Sequence, residues 1–382
     1  AFLIAGAPGA QAQETAPPAV IDTIIIERSN VFNEEEAASS GIFRIMNAIH
    51  ITTKEFVIRD YLQFKAGEPF DSASVAESER QLRLKRLFRE LTVDSVRLED
   101  GKLAVRVSSQ DGWSLKPKVK FSIASTGDWT GTLGINEINL LGTGNQVYAA
   151  YVKELDRDGL NASAVFTRIF GWDFDAQGNY AGLSDGKNGN WLIGLPFRNT
   201  ESSKSYQWDG LWADQDIIQY RVTDLPDSIV TDTTTYRRNA SINTLKAGLA
   251  TRHVTGNYLR FGADVGIRQE EFYLDPSARG TVPDSIYGHV SVWSEFSKAR
   301  FVQYRRFNGF GTEDIDLSST VKLTATLAPE AFGWNGTGLG LGLTAATGRD
   351  QVIAGRGWVW ASIDANYLWN AAVQDSGRVI VN

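Results

Sequence analysis

The sequence predicts a small α+β domain followed by an antiparallel β-barrel that crosses a membrane with strands. Three observations lead to this fold class. All eleven Trp and thirty of the 36 Gly lie after residue 112, so the composition changes near residues 110–114. Beyond that point, apolar and polar residues alternate with a period of two in segments of about ten residues, which is typical of transmembrane β-barrels. No apolar run reaches the roughly 18 residues that a membrane helix requires.

The composition also excludes several classes of protein and site. The net charge of −7 and the pI of about 5.2 argue against a nucleic-acid partner, which normally meets a basic surface. Because the chain has no Cys, disulfides, thiol catalysis and Cys-ligated metals are excluded, and three widely separated His residues do not predict a metal site. No Ser-His-Asp set and no paired carboxylates are recognisable, so we expect neither enzymatic activity nor a cofactor.

The first residues look like the end of a secretory signal peptide. Residues 1–12 combine an apolar stretch with Ala10 and Ala12, which fit a small-x-small cleavage site. A frayed terminus rich in Ala and Gly is the alternative. A signal remnant at this position predicts a protein of the cell envelope.

Three segments of the first domain, residues 19–110, predict strands. β-branched residues fill 20–27, and apolar residues recur in 91–98 and in 103–107, which a turn at 99–101 joins. Within the second of these segments, one predicted face carries Leu91, Val93 and Ser95, and the other carries Thr92, Asp94 and Val96.

The residues between the first and second strands predict helices. Thr52 or Thr53 can cap a helix that Gly67 ends, and Asp71 can cap a second helix over 72–89. The resulting order, β-α-α-β-β in about ninety residues, describes a small α+β unit with a core just large enough to fold alone.

A family resemblance rests on this strand–turn–strand and on seven residues before it: Arg59, Gly67, Phe70, Asp71, Glu77, Leu82 and Arg83. They make residues 19–110 similar to a POTRA domain, the periplasmic module of BamA/TamA-type outer-membrane proteins. Asp111-Gly112-Trp113 stands where related proteins pass from POTRA into barrel. The resemblance implies no catalytic chemistry, and it implies an open sheet edge at residues 91–96 that can take an extended peptide by strand addition.

The second domain, residues 111–382, shows the alternation most clearly at residues 259–267. Leu259, Phe261, Ala263 and Val265 share one face there, opposite Arg260 and Asp264. We expect the apolar face to meet lipid and the polar face to line a wet lumen. The predicted lumen-facing residues are Arg260, Asp264, Arg268 and Lys322.

Aromatic residues near predicted strand ends favour a membrane barrel over a soluble sandwich or propeller, which is the alternative. The predicted girdle residues are Trp129, Tyr148, Trp172, Trp191, Trp212, Tyr258, Tyr273, Trp334 and Trp369. The acidic, Thr-rich segment 224–235 predicts an extended surface loop.

Two motifs of the second domain resemble strands of BamA-family barrels. Residues 134–146, with Asn139-Leu-Leu-Gly142 before a Gly-x-Gly turn, are similar to an early hairpin, and residues 191–197 are similar to a later strand ending in Pro-Phe. That family has sixteen strands and an Arg-Gly-aromatic motif on a loop folded into the lumen, which Arg356-Gly357-Trp358 matches superficially. The length allows about fourteen strands, so we expect a chain that lacks the last strands.

The resemblance implies a protein of the bacterial outer membrane, with the POTRA domain in the periplasm, that helps insert or translocate outer-membrane polypeptides by strand templating. Its expected partners are the outer-membrane lipid bilayer, unfolded outer-membrane polypeptides and periplasmic proteins. The docking edge is either residues 91–96 or the first barrel strand near residues 119–125, with Val119, Phe121 and Ile123 on one face. A passive porin-like channel or surface barrel that uses POTRA as a scaffold is the alternative, and lipid export is a third.

Overall fold

The computed structural model describes residues 19–123, 125, 127–198, 202–225, 228–253, 256–274, 285–305, 312–353, 356–370 and 376–381. The predicted signal remnant at residues 1–12 lies outside this part of the chain. The chain divides into two compact units between Gly112 and Trp113. Among the described residues, no helix is both long and apolar enough to cross a membrane.

The described part of the first unit, residues 19–112, contains three strands and four helices. Their bounds are β1 (Ile21–Ser29), α1 (Glu34–Ser39), α2 (Gly41–Ile49), α3 (Glu55–Arg59), α4 (Ser72–Leu84), β2 (Phe88–Arg97) and β3 (Leu103–Asp111). The sheet has the order β1-β3-β2, with β3 parallel to β1 and antiparallel to β2. The fully buried apolar side chains come from strands and helices alike: Ile21, Ile58, Leu82, Val105 and Val107. Because β3 is the central strand, β1 and β2 are the two edges of this sheet within the described residues.

The helix starts are predicted correctly in one case and wrongly in another. Asp71 caps α4 as expected, because its carboxylate accepts hydrogen bonds from the backbone N–H groups of Ala73 (3.0 Å) and Ser74 (3.2 Å). Thr53 does not cap α3, whose N-cap residue is Lys54 and makes no side-chain capping bond. Thr53 is fully buried instead, and it bonds to Asp111.

Both predicted helix ends lie too far along the chain. α3 ends at Arg59, and Gly67 occupies a later turn, where a φ of +88° favours glycine. α4 ends at Leu84 rather than near residue 89, because Arg86 adopts a left-handed φ of +55° and β2 begins two residues later.

The second unit contains sixteen described strands. Their bounds are β4 (Leu115–Ile123), β5 (Trp129–Glu137), β6 (Gln146–Lys153), β7 (Asp158–Phe166), β8 (Asp175–Leu183), β9 (Gly186–Leu195), β10 (Lys204–Leu225), β11 (Ser228–His253), β12 (Asn257–Leu274), β13 (Ser285–Lys298), β14 (Phe301–Arg305), β15 (Thr312–Asp316), β16 (Ser319–Ala328), β17 (Gly338–Ile353), β18 (Arg356–Asn370) and β19 (Ser376–Val381). Fourteen of them form one antiparallel sheet in chain order from β4 to β19, while β14 and β15 pair as a separate hairpin. Within the described residues, β4 and β19 are the two edges of the large sheet and do not pair with each other.

The predicted surface loop at residues 224–235 is wrong. Its described residues, 224–225 and 228–235, belong to β10 and β11, which stay paired from the Lys204–Leu249 pair to the Leu225–Ser228 pair. The segment is rich in Thr, a β-branched residue that favours strands despite its polarity. At 22 and 26 residues, β10 and β11 are more than twice as long as the roughly ten residues that span a bilayer.

The superficial match of Arg356-Gly357-Trp358 to the lumen-loop motif does not lie on a loop, since these residues begin β18 and pair with the end of β17. One expectation about an aromatic residue is wrong. Trp191 lies inside β9 rather than at its end, where its ring packs edge-on against Trp208 of β10 at 5.4 Å between centroids. Trp129 and Trp369, by contrast, do lie at strand ends.

Candidate functional site: two open strand edges and a two-faced sheet

One face of the fourteen-stranded sheet is apolar and exposed from edge to edge. Residues that are paired in register share a face, so the strand register assigns each side chain to one side of the sheet. Large exposed apolar side chains on this apolar face include Val119, Leu133, Leu160, Leu245, Val265, Val292, Leu323, Leu341 and Val379. A contiguous apolar surface of this width is unusual in water and is normal against hydrocarbon.

The opposite, polar face carries charged side chains that pair between neighbouring strands. On β12, Arg260 and Asp264 point away from the apolar face, as the alternation predicts. Arg260 lies 3.5 Å from Glu295 of β13, and its guanidinium carbon lies 3.7 Å from the centroid of the Tyr258 ring. Asp264 lies 3.2 Å from the imidazole of His289, also on β13. Each of these charges therefore has a partner on the same face.

The other two predicted lumen-facing residues belong to separate groups on the polar face. Arg268 bonds to Glu270 at 2.6 Å, and Arg238 of β11 binds the same carboxylate. Lys322 of β16 lies over the ring of Trp293 at 4.8 Å. The sequence reveals these cations through alternation, whereas their partners come from other strands and depend on a register that alternation alone does not give.

In the first unit, β2 is one of the two edge strands of the sheet, and its residues differ strongly in burial. Val93 points into the core and is 6% exposed, whereas Thr92, Asp94 and Ser95 are exposed. Leu91 and Val96 are half-buried. α4 packs against this strand, so one face of β2 is covered while its outer edge stays open.

The hydrogen-bond phase of β2 follows from its hairpin to β3. The N–H of Leu98 donates to the carbonyl of Lys102 at 2.9 Å, which makes these two residues a hydrogen-bonded pair. Hydrogen-bonded pairs alternate along the ladder with pairs whose backbone N–H and C=O groups point away from the partner strand. Counting back from Leu98, the backbone groups of Thr92, Asp94 and Val96 bond to β3. The outward N–H and C=O groups on the open edge are therefore those of the residues between them: Leu91, Val93, Ser95 and Arg97.

The turn of this hairpin is held by Asp100. Its carboxylate accepts a hydrogen bond from the N–H of Lys102 at 3.1 Å, and the Lys102 ammonium lies 3.2 Å away. These contacts hold the pKa of Asp100 below its ordinary value of 3.8, and the backbone hydrogen bond from Lys102 makes the largest contribution. The hairpin thus fixes the register of β2, and with it the set of groups that face outward.

In the second unit, β4 is an edge strand whose every residue is exposed. The N–H of Ile138 donates to the carbonyl of Ser114, so the same alternation gives the phase of the β4–β5 ladder. The residues whose backbone groups face the open edge are Leu115, Pro117, Val119, Phe121 and Ile123. Pro117 has no N–H to donate, and it occupies an outward position where the ladder loses nothing.

The side chains that belong to these outward positions lie on the apolar face. Val119, Phe121 and Ile123 are 74%, 65% and 63% exposed, respectively. The three residues that the sequence nominates on the first barrel strand therefore combine open backbone groups with uncovered apolar side chains. An unpaired strand edge of this kind is a ready template for another extended chain.

A buried polar cluster in the first unit is not visible from the sequence. Asp111, the last residue of β3, is completely buried. Its Oδ2 accepts hydrogen bonds from the N–H of Thr53 (2.6 Å) and from the Thr53 hydroxyl (3.0 Å), and it lies 2.9 Å from Nε2 of His50. From the sequence alone, Asp111 falls in the second domain, because nothing local connects it to residues about sixty positions earlier. No single motif could have identified this cluster.

Comparisons with known proteins give structural similarity without sequence similarity. No family model matches the chain, and no curated protein matches it. The solved structures that are similar to this chain include the following three. One is BamA from Haemophilus ducreyi lacking POTRA domains 1–3, at 9% identity over 94% of this chain and 84% of that chain, with a TM-score of 0.36.

The other two structures are both CdiB. CdiB from Acinetobacter baumannii is 10% identical over 95% of this chain and 70% of its own length, with a TM-score of 0.32. CdiB from Escherichia coli is 10% identical over 98% of this chain and 89% of its own length, with a TM-score of 0.30. Similarities of this size say nothing about the function of this chain. Any functional inference therefore depends on the geometry of the two sheets.

Proposed function

We propose that the chain is an outer-membrane β-barrel protein that assists the insertion or translocation of outer-membrane polypeptides by strand templating. The observation that carries the proposal is β4, an edge strand with open backbone groups on a sheet with one exposed apolar face. An unpaired backbone group in hydrocarbon costs several kcal/mol. An extended client that pairs with β4 satisfies its own amides and those of the edge together, so pairing is favourable inside the bilayer.

The first unit is proposed to act as a periplasmic, POTRA-like domain that presents a second docking edge. Its mixed sheet with β3 in the centre leaves β2 open, and the outward N–H groups of β2 are placed to bind a peptide by strand addition. Strand addition uses main-chain hydrogen bonds, so it tolerates a change of side chain and is sensitive to the loss of an outward N–H.

The matched variants for β4 are Val119→Pro and Val119→Ala. Both replace the exposed valine, but only proline removes an N–H that faces the open edge, and it leaves the ladder with β5 intact. In cells that depend on the variant, we expect Val119→Pro to lower the amounts of other outer-membrane barrels and Val119→Ala to leave them unchanged. A folded Val119→Pro protein with normal client assembly would overturn templating at β4.

The corresponding pair for β2 is Ser95→Pro and Ser95→Ala. Ser95 is exposed and its N–H faces outward, so proline leaves the pairing with β3 unchanged. We expect crosslinking of an extended peptide to the first unit to fall in Ser95→Pro and to persist in Ser95→Ala. If crosslinking persists in a folded Ser95→Pro protein, β2 is not the docking edge and β4 is the remaining candidate.

A passive porin-like channel, with the first unit as a scaffold, is the second candidate function. The polar face favours it, because Arg260 and Lys322 would line a wet lumen if the sheet encloses one. Depletion of the protein separates the two candidates. Loss of many other barrel proteins supports templating, whereas loss of solute uptake alone supports the channel.

A further inference from the structure

The polar face of β4 carries a row of three lysines. Lys116, Lys118 and Lys120 alternate along the strand with the outward apolar positions, so all three side chains share the polar face, and all three are exposed. Their spacing of two residues places the backbone positions of successive lysines about 7 Å apart along the strand. We call this set the lysine row.

The strand that pairs with β4 offers the lysine row no negative charge. Opposite Lys116, Lys118 and Lys120 stand Asn136, Gly134 and Thr132 of β5. Among the described residues, no carboxylate forms an ion pair with the row, whereas elsewhere on the polar face cations are matched across strands. Lys246 with Asp209 at 2.7 Å and Arg260 with Glu295 at 3.5 Å are two such pairs.

The described side chains of β19, at the other edge of the sheet, do not supply the missing charge either. Those on the polar face are Arg378 and Ile380, since they pair with polar-face residues of β18. If β19 paired with β4, Arg378 would join the lysine row and add to its positive charge. A second copy of β4 would likewise place lysines against lysines, and like charges directly opposite each other destabilise a strand pair.

We propose that the open edge of β4 selects extended polypeptide strands that carry acidic residues at alternate positions. Such a strand places its carboxylates against the lysine row on the polar face and its apolar side chains beside Val119, Phe121 and Ile123 on the apolar face. This inference rests on the proposed templating function and specifies its client. The same lysines disfavour pairing of β4 with β19 or with another copy of β4.

The test measures peptide capture by the full chain in liposomes of zwitterionic lipid. Because the chain contains no Cys, Ser122→Cys provides a unique thiol on the polar face of β4. Three nonapeptides with a terminal Cys are compared, and each has valine at alternate positions. The three positions between the valines are all Glu in the first peptide, all Gln in the second and all Lys in the third. Disulfide capture is measured in the Ser122→Cys protein and in the same protein carrying Lys116→Gln, Lys118→Gln and Lys120→Gln.

We expect the Glu peptide to be captured about tenfold better than the Gln peptide at low salt, because three cross-strand charge pairs each contribute about a factor of two. The Lys peptide should be captured least. The preference should fall as salt rises to about 0.5 M, because exposed charges are screened. It should disappear in the triple Gln variant and reverse in a variant with Glu at the three positions.

The outcomes separate this inference from the proposed function. Equal capture of all three peptides, abolished by Val119→Pro, overturns charge selection and leaves templating in place; the lysines then only protect the edge from self-pairing. No capture of any peptide, with no effect of Val119→Pro, overturns templating at β4 itself. If vesicles containing phosphatidylglycerol bind the protein through the lysine row while peptide preference survives in the triple Gln variant, the row serves lipid headgroups and the inference is wrong.

Discussion

Removal of the Asp111 carboxylate should destabilise the first unit far more than the loss of a single hydrogen bond. In Asp111→Ala, the N–H and hydroxyl of Thr53 and the Nε2 atom of His50 lose a common partner. The hydroxyl can rotate and the imidazole can change tautomer, but the buried backbone N–H of Thr53 cannot move. Leaving this N–H without an acceptor alone lowers the free energy of unfolding by about 1–3 kcal/mol. Together with the two remaining bonds to a charged group, the expected cost is about 3–5 kcal/mol.

Two milder variants show how this loss of folding free energy is shared among the hydrogen bonds to Asp111. Thr53→Val removes the 3.0 Å hydroxyl bond and keeps the 2.6 Å backbone bond, so we expect a loss of about 1 kcal/mol. Asp111→Asn keeps a neutral acceptor oxygen near the Thr53 N–H. The Oδ1 atom of Asp111 is buried and has no hydrogen-bond partner among the described residues, so the new amide nitrogen has a position to occupy but no acceptor. Its cost should fall between those of the other two.

Urea denaturation of a fragment comprising residues 19–112, followed by circular dichroism, measures these costs. The fragment ends at residue 112 because Asp111 belongs to its core and the N–H of Gly112 donates to Leu87. A small domain has about 5 kcal/mol to lose, so we expect Asp111→Ala to be largely unfolded without urea. If Asp111→Ala and Thr53→Val lose the same free energy of unfolding, the shared-acceptor argument is refuted.

Three further predictions concern other parts of the chain. The 19–112 fragment should fold as a soluble monomer without detergent, and aggregation or a disordered circular dichroism spectrum would contradict this. Val265→Arg should cost about 2–4 kcal/mol if Val265 lies near the bilayer midplane, with Val265→Leu as the control, and a spin label that reports water at residue 265 would reverse the face assignment. Asp71→Ala should cost the first unit about 1 kcal/mol and Asp71→Asn less. Bonds from the Ser74 hydroxyl and then the Ala73 N–H lower the pKa of Asp71 below its ordinary 3.8, so its stabilisation should be complete above that value and lost as the pH falls below it, a loss that Asn should not show.

Local patterns predicted those features whose causes are local. The Asp71 cap depends on N–H groups two and three residues away, and the two faces of β12 depend on alternate residues of one segment, so the sequence contains both. The role of Thr53 depends on Asp111, 58 positions later, which only the folded sheet brings near. The pairing of Arg260 with Glu295 likewise depends on register.

At the candidate docking edges, too, the sequence predicts the local features and not those that depend on neighbouring strands. Alternation nominated Val119, Phe121 and Ile123, because their side chains share a face. It could not give the hydrogen-bond phase, since that is fixed by contacts such as the one between Ile138 and Ser114. The lysine row is visible in the sequence as alternate residues, but its meaning depends on Thr132, Gly134 and Asn136 on the neighbouring strand.

Pro117 makes the open edge of β4 unequal along its length. Because proline has no N–H, the carbonyl of a docked strand opposite Pro117 finds no donor, whereas three donors follow in succession at Val119, Phe121 and Ile123. An arriving strand that forms its first bonds near Ile123 gains more per residue than one that starts near Leu115. We therefore expect pairing to nucleate at the C-terminal end of β4, near Ile123, and to advance towards Pro117. The docking reaction then has a direction along the strand as well as a register.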